Sequence, residues 1–226
     1  MPTSNPSDYP FTLDPPGSIA VIGAGPLGIE AALYGRFLGY NITTYEAGEV
    51  GKNIALSENS ALPFLPDRSI SNLACQALKT QLEVTSLTFP TTLNDWIDHY
   101  LKPLTETDLL AGRVFTECTV TQIELEPVES DEDPSEDDLP EDFKVTYQTS
   151  NGVTEKELFE AVVIATGKDL SIEIPMPIAT PYLFRVGCEQ TENWEMDLAN
   201  GLQEIVKIYA SLGGRDNLDL YRPTRS

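Results

Sequence analysis

The chain has 226 residues, enough for one large domain or two small ones, and its 41% hydrophobic and 22% charged residues give a globular composition. Its 36 acidic and 14 basic residues leave a net charge of −22, which repels nucleic acid and anionic membranes and argues against partners of either class. Three cysteines without a CxxC pair, and one histidine, exclude a redox-active dithiol and a histidine-rich metal site and fit a reducing cytoplasm.

Residues 1–16, rich in Pro, Ser and Asp, read as an extended arm with no basic or apolar region of a secretion signal. Residues 17–212 read as one domain, and it opens with the most informative segment. Ser18–Ile22 is a short apolar run of the kind buried in a parallel sheet. It runs into GxGxxG at Gly23, Gly25 and Gly28, with Ala24, Pro26 and Leu27 between. In a dinucleotide-binding turn the first glycine lets the chain leave the strand, the second lets a pyrophosphate approach the backbone, and the third lets the helix pack closely on the strand. The helix then directs its free N–H groups and positive dipole end at the phosphates, and Pro26 in its first turn loses no hydrogen bond. Ile29, Ala32, Leu33, Arg36 and Phe37 have the spacing of a half-buried helix that stops at Gly39. Asn41–Tyr45 is the second strand, and Glu46 follows Gly25 by about twenty residues, where a carboxylate accepts ribose hydroxyls.

After Glu46 the chain is rich in turns and becomes helical from about Ser71. A second helix is expected over Thr92–Leu101, with Thr92 or Asn94 as cap, Trp96 on its apolar face and Pro103 ending it. Strands are expected at Arg113–Thr116 and Val120–Leu125. The segment 129–142 holds nine acids and almost no apolar residue, so it cannot bury enough surface to order itself and reads as a flexible loop. Phe143–Thr149 and Glu155–Phe159 form a hairpin around Ser150-Asn151-Gly152, completing an antiparallel meander. Ala161–Ala165 is continuously apolar, as a buried parallel strand requires, and Thr166-Gly167 closes it. One more strand lies in Pro181–Gly187, an amphipathic helix covers Glu195–Leu212, and residues 213–226 read as a tail.

This order resembles the FAD-binding domain of two-dinucleotide-binding flavoproteins, the group holding pyridine nucleotide-disulfide oxidoreductases and flavin-containing monooxygenases. Three elements carry the resemblance over residues 17–212: VIGAGPLG with Glu46, the meander ending in Val162–Gly167, and a terminal strand leading into a long helix. It implies an α/β fold of Rossmann type, a parallel sheet with an inserted three-stranded antiparallel meander. It also implies a site for FAD, with Gly23–Gly28 on the pyrophosphate and Glu46 and Ala47 at the adenosine ribose. Val114, in the third strand, lies beside the adenine. Lys52 and Asn53 reach toward adenosine or flavin, Ala165, Thr166 and Gly167 lie near the cofactor, and Gly187 and Cys188 approach it from the terminal turn.

Two departures bear on function. Full-length relatives carry a second nucleotide-binding domain between the ATG strand and the terminal strand, where only about fourteen residues stand here. The usual Gly-Asp of the terminal strand is replaced by Gly187-Cys188-Glu189, with Glu189 a candidate substitute. The expectation is a small FAD-binding oxidoreductase-like protein served by a separate electron donor or acting directly on a small-molecule substrate. The alternatives are a non-catalytic nucleotide-binding or interaction protein of the same descent, and a single-domain NAD-dependent oxidoreductase. No catalytic residue is assigned: the thiols of Cys188 and Cys75, open to activation by a neighbouring cation, and the imidazole of His99, suited to proton transfer, read as packing or surface residues before catalytic ones, Lys52 as a phosphate partner or a solvated lysine, and Arg36 as a surface charge.

Overall fold

A computed structural model describes residues 12–55, 60–82, 87–126, 142–168, 171–177, 180–189, 191, 193–215 and 217–222. The acidic loop expected over 129–142 falls, but for Asp142, outside the described residues, as do the first eleven residues of the arm.

Five parallel strands form the central sheet in the order β3-β2-β1-β7-β8, and three antiparallel strands form a second sheet, β4-β5-β6. Here β1 is Ser18–Ile22, β2 Asn41–Tyr45, β3 Val114–Phe115, β7 Ala161–Ile164 and β8 Leu183–Arg185. The meander strands are β4 Cys118–Glu126, β5 Asp142–Thr149 and β6 Thr154–Phe159. Both β1 and β7 are buried almost throughout, which explains why they lack the polar alternation of β4. This is the α/β fold with inserted meander that the sequence implies. The last parallel strand, expected over seven residues, is shorter because Tyr182 takes positive φ (64°) and Gly187 positive φ (69°), so pairing stops on both sides.

Helix α1, Pro26–Phe37, crosses from β1 to β2. It is not half-buried: every residue from Gly28 to Gly35 is buried, because α1 lies between the sheet and further chain. One neighbour is the long helix α6, Trp194–Gly213, whose Tyr209 stacks on Tyr34 at 5.2 Å and donates its hydroxyl to the Ala31 carbonyl (2.8 Å). Gly35 makes this possible, since a Cβ there would lie 2.5 Å from the Tyr209 hydroxyl. Another is the chain after α6, expected as a tail: Tyr34 donates to the Leu218 carbonyl (3.3 Å) and accepts from Leu220 N–H (3.2 Å). Arg36 is no free surface charge, because its guanidinium donates to the carbonyls of Tyr40 (2.6 Å) and Leu109 (3.2 Å).

The segment after β2 contains a one-turn helix α2, Lys52–Ala55, followed by α3, Asn72–Leu82, whose N-cap Ser71 accepts from Ala74 N–H (3.0 Å). Thr92 caps α4, Leu93–Trp96, in a reciprocal box with Asp95. This helix does not stop at Pro103. A π-turn at Ile97–Leu101 leads into α5, Lys102–Thr105, and Pro103 sits in the first turn after the widening, where its missing N–H is tolerated.

Candidate functional site

Because the five strands are parallel, β1, β2, β7 and β8 bring their C-terminal ends to one edge of the sheet, and a cleft of about 520 Å³ opens there. Gly25, Pro26 and Leu27, Glu46, Lys52 and Asn53, Ala165, Thr166 and Gly167, and Gly187 all line it. Gly23, Ala24 and Gly28 lie beneath this lining and hold its shape. Gly23 has φ of 105°, donates to the Tyr45 carbonyl (2.7 Å), and would place a Cβ 2.9 Å from the Ala165 carbonyl. A Cβ on Gly28 would collide with the Gly23 carbonyl, so α1 starts against the loop only with glycine there.

Gly25 is different. Its backbone is extended (φ −75°, ψ −177°), and a Cβ would meet nothing within 4 Å. Neither conformation nor packing against protein demands glycine at this position. It is the N-cap of α1 and offers no side-chain cap, so the first-turn N–H groups lack partners inside the helix. The result is an open cradle at the positive end of a twelve-residue helix.

The Glu46 carboxylate faces this cradle and is already oriented: Oε2 accepts from Ala24 N–H (2.7 Å) and Oε1 from Gly48 N–H (2.9 Å). Each oxygen keeps a lone pair for a further donor. Ala165 N–H donates to the Ile22 carbonyl (2.8 Å), and the neighbouring Thr166 hydroxyl is buried with no hydrogen-bond partner in the protein. A buried hydroxyl left open on a cleft wall suits a ligand that supplies the missing bond.

The far wall comes from segments that the sequence pattern did not join to the site. Ile54, Phe64 and Trp96 form an apolar face, the last two edge-on with ring centroids 5.2 Å apart. Trp194 of α6 stands at the mouth, 38% exposed. Trp96 was legible as a helix-face residue, but no signal in the sequence ties it, Phe64 or Trp194 to a glycine loop. Beyond Glu46 lies a second, more polar cleft of about 580 Å³, lined by Ala47, Gly48, Lys102, Glu117 and the hairpin turn Gln148–Ser150. Lys52 lines both clefts, and its side chain lies along Gly48.

The terminal turn is closed on itself. Gly187 N–H donates to Glu204 Oε2 (2.8 Å), Asn193 caps Met196 N–H (3.1 Å), and Asp197 accepts from the N–H and hydroxyl of Thr191. Leu27 fills the space left by Gly187 and Gly201. Glu189 lines the cleft, whereas Cys188 is half-buried and is not among the lining residues. Val114 pairs with Thr44 at the edge of the sheet and lines neither cleft.

Burial pushes the Cys188 thiol up, against a smaller opposing effect of Arg185, and burial also raises Cys75. Neither is an activated thiolate. The His99 side chain is 71% exposed, its Nδ1 4.0 Å from Asp95 Oδ1, and it lines neither cleft. The arrangement can therefore bind, through an uncapped helix end and a preset carboxylate, without presenting a nucleophile of its own. Among the described residues, no helix is long and apolar enough to cross a membrane, and no group of three or more His, Cys, Asp or Glu side chains is placed to hold a metal ion.

No protein-family model matches the chain, and no curated protein matches it. Among solved structures, it is similar to S-allyl-L-cysteine S-oxygenase from Allium sativum, with 18% identity and a TM-score of 0.49 over 67% of this chain and 36% of that one. It is also similar to an oxidized steroid monooxygenase bound to NADP, with 18% identity and a TM-score of 0.47 over 67% of this chain and 26% of that one. A third similarity is to a closed form of cyclohexanone monooxygenase, with 18% identity and a TM-score of 0.48 over 74% of this chain and 28% of that one. The match thus spans between 26% and 36% of the length of these proteins.

Proposed function

We propose that this chain binds FAD and belongs functionally to the flavin-dependent oxidoreductases. The observation that carries the reading is Gly25, a glycine that the protein's own backbone and packing do not require, set in an uncapped helix start opposite the oriented Glu46 carboxylate. In this reading the pyrophosphate lies on the Gly25–Gly28 turn and the adenosine ribose donates to Glu46. The adenine end extends toward the second cleft past Lys52, and the flavin end toward the Phe64–Trp96 face. Two clefts that share Lys52, with Glu46 in the first and Ala47 in the second, suit a dinucleotide better than a mononucleotide.

Bound FAD would supply the electron chemistry, while the chain supplies orientation, burial and electrostatics. Gly25, Leu27 and Gly28 bring backbone donors, Glu46 fixes the ribose, and Thr166 offers a hydroxyl. The connection between β7 and β8, residues 165–182, is too short to hold a second domain at that point in the chain. The electron source in this reading is a separate donor or the substrate itself. The closed turn at Gly187 favours a second reading, a nucleotide-binding protein without turnover, which steady reduction of any acceptor by the reconstituted protein would overturn.

The decisive experiment is the absorbance spectrum of the purified protein, with mass spectrometry of whatever heat releases. Flavin absorbance and the mass of FAD are expected. A colourless protein that takes up no FAD on reconstitution would sink the proposal, and release of NAD instead would replace the cofactor.

A further inference from the structure

Glu30 lies on α1, two residues past the last motif glycine, and is 6% exposed. Ser71, the cap of α3, donates its hydroxyl to Glu30 Oε2 (2.8 Å) and its N–H to Oε1 (3.4 Å). The Tyr221 hydroxyl lies beside the same carboxyl, buried and without a hydrogen-bond partner among the described residues. Tyr221 belongs to the segment 217–222, which is strapped across α1 and α3: its carbonyl accepts from Asn72 Nδ2 (3.3 Å), and Leu220 N–H donates to Tyr34 (3.2 Å).

The groups that face this pocket come from every element around it. They are Ser71 and the Cys75 thiol from α3, Tyr34 from α1, Tyr209 from α6, and Tyr221 and Asp219 from the strap. Lys79 acts on Cys75, one turn further along α3. Among the described residues, the groups at the carboxyl itself are thus the Ser71 hydroxyl and N–H and the Tyr221 hydroxyl. A carboxylate there would be a buried charge without a counter-ion among the described residues, whereas a carboxylic acid fits.

We infer that Glu30 is a proton-sensitive latch, holding the strap 217–222 against α1 and the start of α3 when protonated and weakening that contact when it ionises. Burial, opposed by the two Ser71 hydrogen bonds and more weakly by the Tyr221 hydroxyl, raises the Glu30 carboxyl from 4.5 to about 7. With the strap lifted, the carboxyl meets water and returns toward its ordinary value. The closed form therefore binds the proton more tightly, and opening grows as pH rises from about 4.5 to about 7 and levels off above it. The latch does not depend on which nucleotide the cleft binds.

Amide hydrogen exchange of Leu220 in the full chain tests it, after correction for the intrinsic pH dependence of exchange. The opening constant should climb across that window by up to roughly 300-fold, a tenfold step per pH unit, and then stay flat. In Glu30→Gln it should be flat throughout. Ser71→Ala removes the hydroxyl bond, which favours the charged form, while keeping the backbone one, and should move the upper end of the window to higher pH, which a merely structural role would not do. The carbon-13 shift of the wild-type Glu30 carboxyl gives a reading that needs no variant, with titration expected near 7. Titration near 4.5, an opening constant unchanged by pH, or an equal climb in Glu30→Gln would each overturn the latch.

Discussion

The cleft is bounded by two strand-to-helix turns made from similar parts and used in opposite ways. After β1, the chain turns through glycine into α1 and leaves the helix start without a side-chain cap, its cradle open. After β8, it turns through Gly187 into α6 and satisfies itself: Glu204 takes the Gly187 N–H, Asn193 caps the helix, and Leu27 fills the gap. An unsatisfied helix end is costly unless water or a ligand completes it, and the open turn is therefore the one proposed to bind. The closed turn contributes rigidity and a wall.

Two glycines of one motif break this comparison most sharply. Gly28→Ala forces a Cβ into the Gly23 carbonyl, and a loss of about 3 kcal/mol or more in thermal or denaturant unfolding is expected. Gly25→Ala meets no protein atom and should change stability by less than about 1 kcal/mol, while lowering FAD affinity about 100-fold in fluorescence titration. If Gly25→Ala binds as well as wild type, the open turn is not the site.

A smaller effect is expected at the carboxylate facing the open turn. Glu46→Ala removes the ribose acceptor and should weaken FAD by more than about tenfold, since a hydrogen bond to a charged group contributes about 1.5–3 kcal/mol. The smallest effect belongs to the closed turn. Glu204→Ala orphans the Gly187 N–H and should cost about 1–2 kcal/mol of stability with FAD affinity retained. A binding defect of the Glu46 size in Glu204→Ala would mean that the two turns serve the ligand alike.

The parts of this site that were legible in the sequence are local. Ser18–Ile22, the three glycines, the following helix and Glu46 announce themselves because a buried strand, a tight turn and a helix face each have a period or a residue type of their own. The hairpin at Ser150–Gly152 was legible for the same reason, with Gly152 at φ 75°. Pro103 misled because a proline normally ends a helix, and the π-turn before it depends on how Trp96, Tyr100 and Leu104 pack, which spacing alone does not reveal. Arg36 looked like a solvated charge because its two carbonyl partners are set by the fold of residues 40 and 109.

By itself, then, the sequence determined the order of strands and helices and the open cradle, since the φ values, faces and small residues these need are written at short range. Tertiary structure alone decided what surrounds them. It brought Phe64, Trp96 and Trp194 to one cleft, closed the terminal turn with Glu204 from seventeen residues further along, and folded the last described segment back onto Tyr34 of α1 and Asn72 of α3. Periodicity shows which face of an element is apolar but not which distant segment will cover it. A buried acid such as Glu30 therefore reads as an ordinary helix residue until its neighbours are in place.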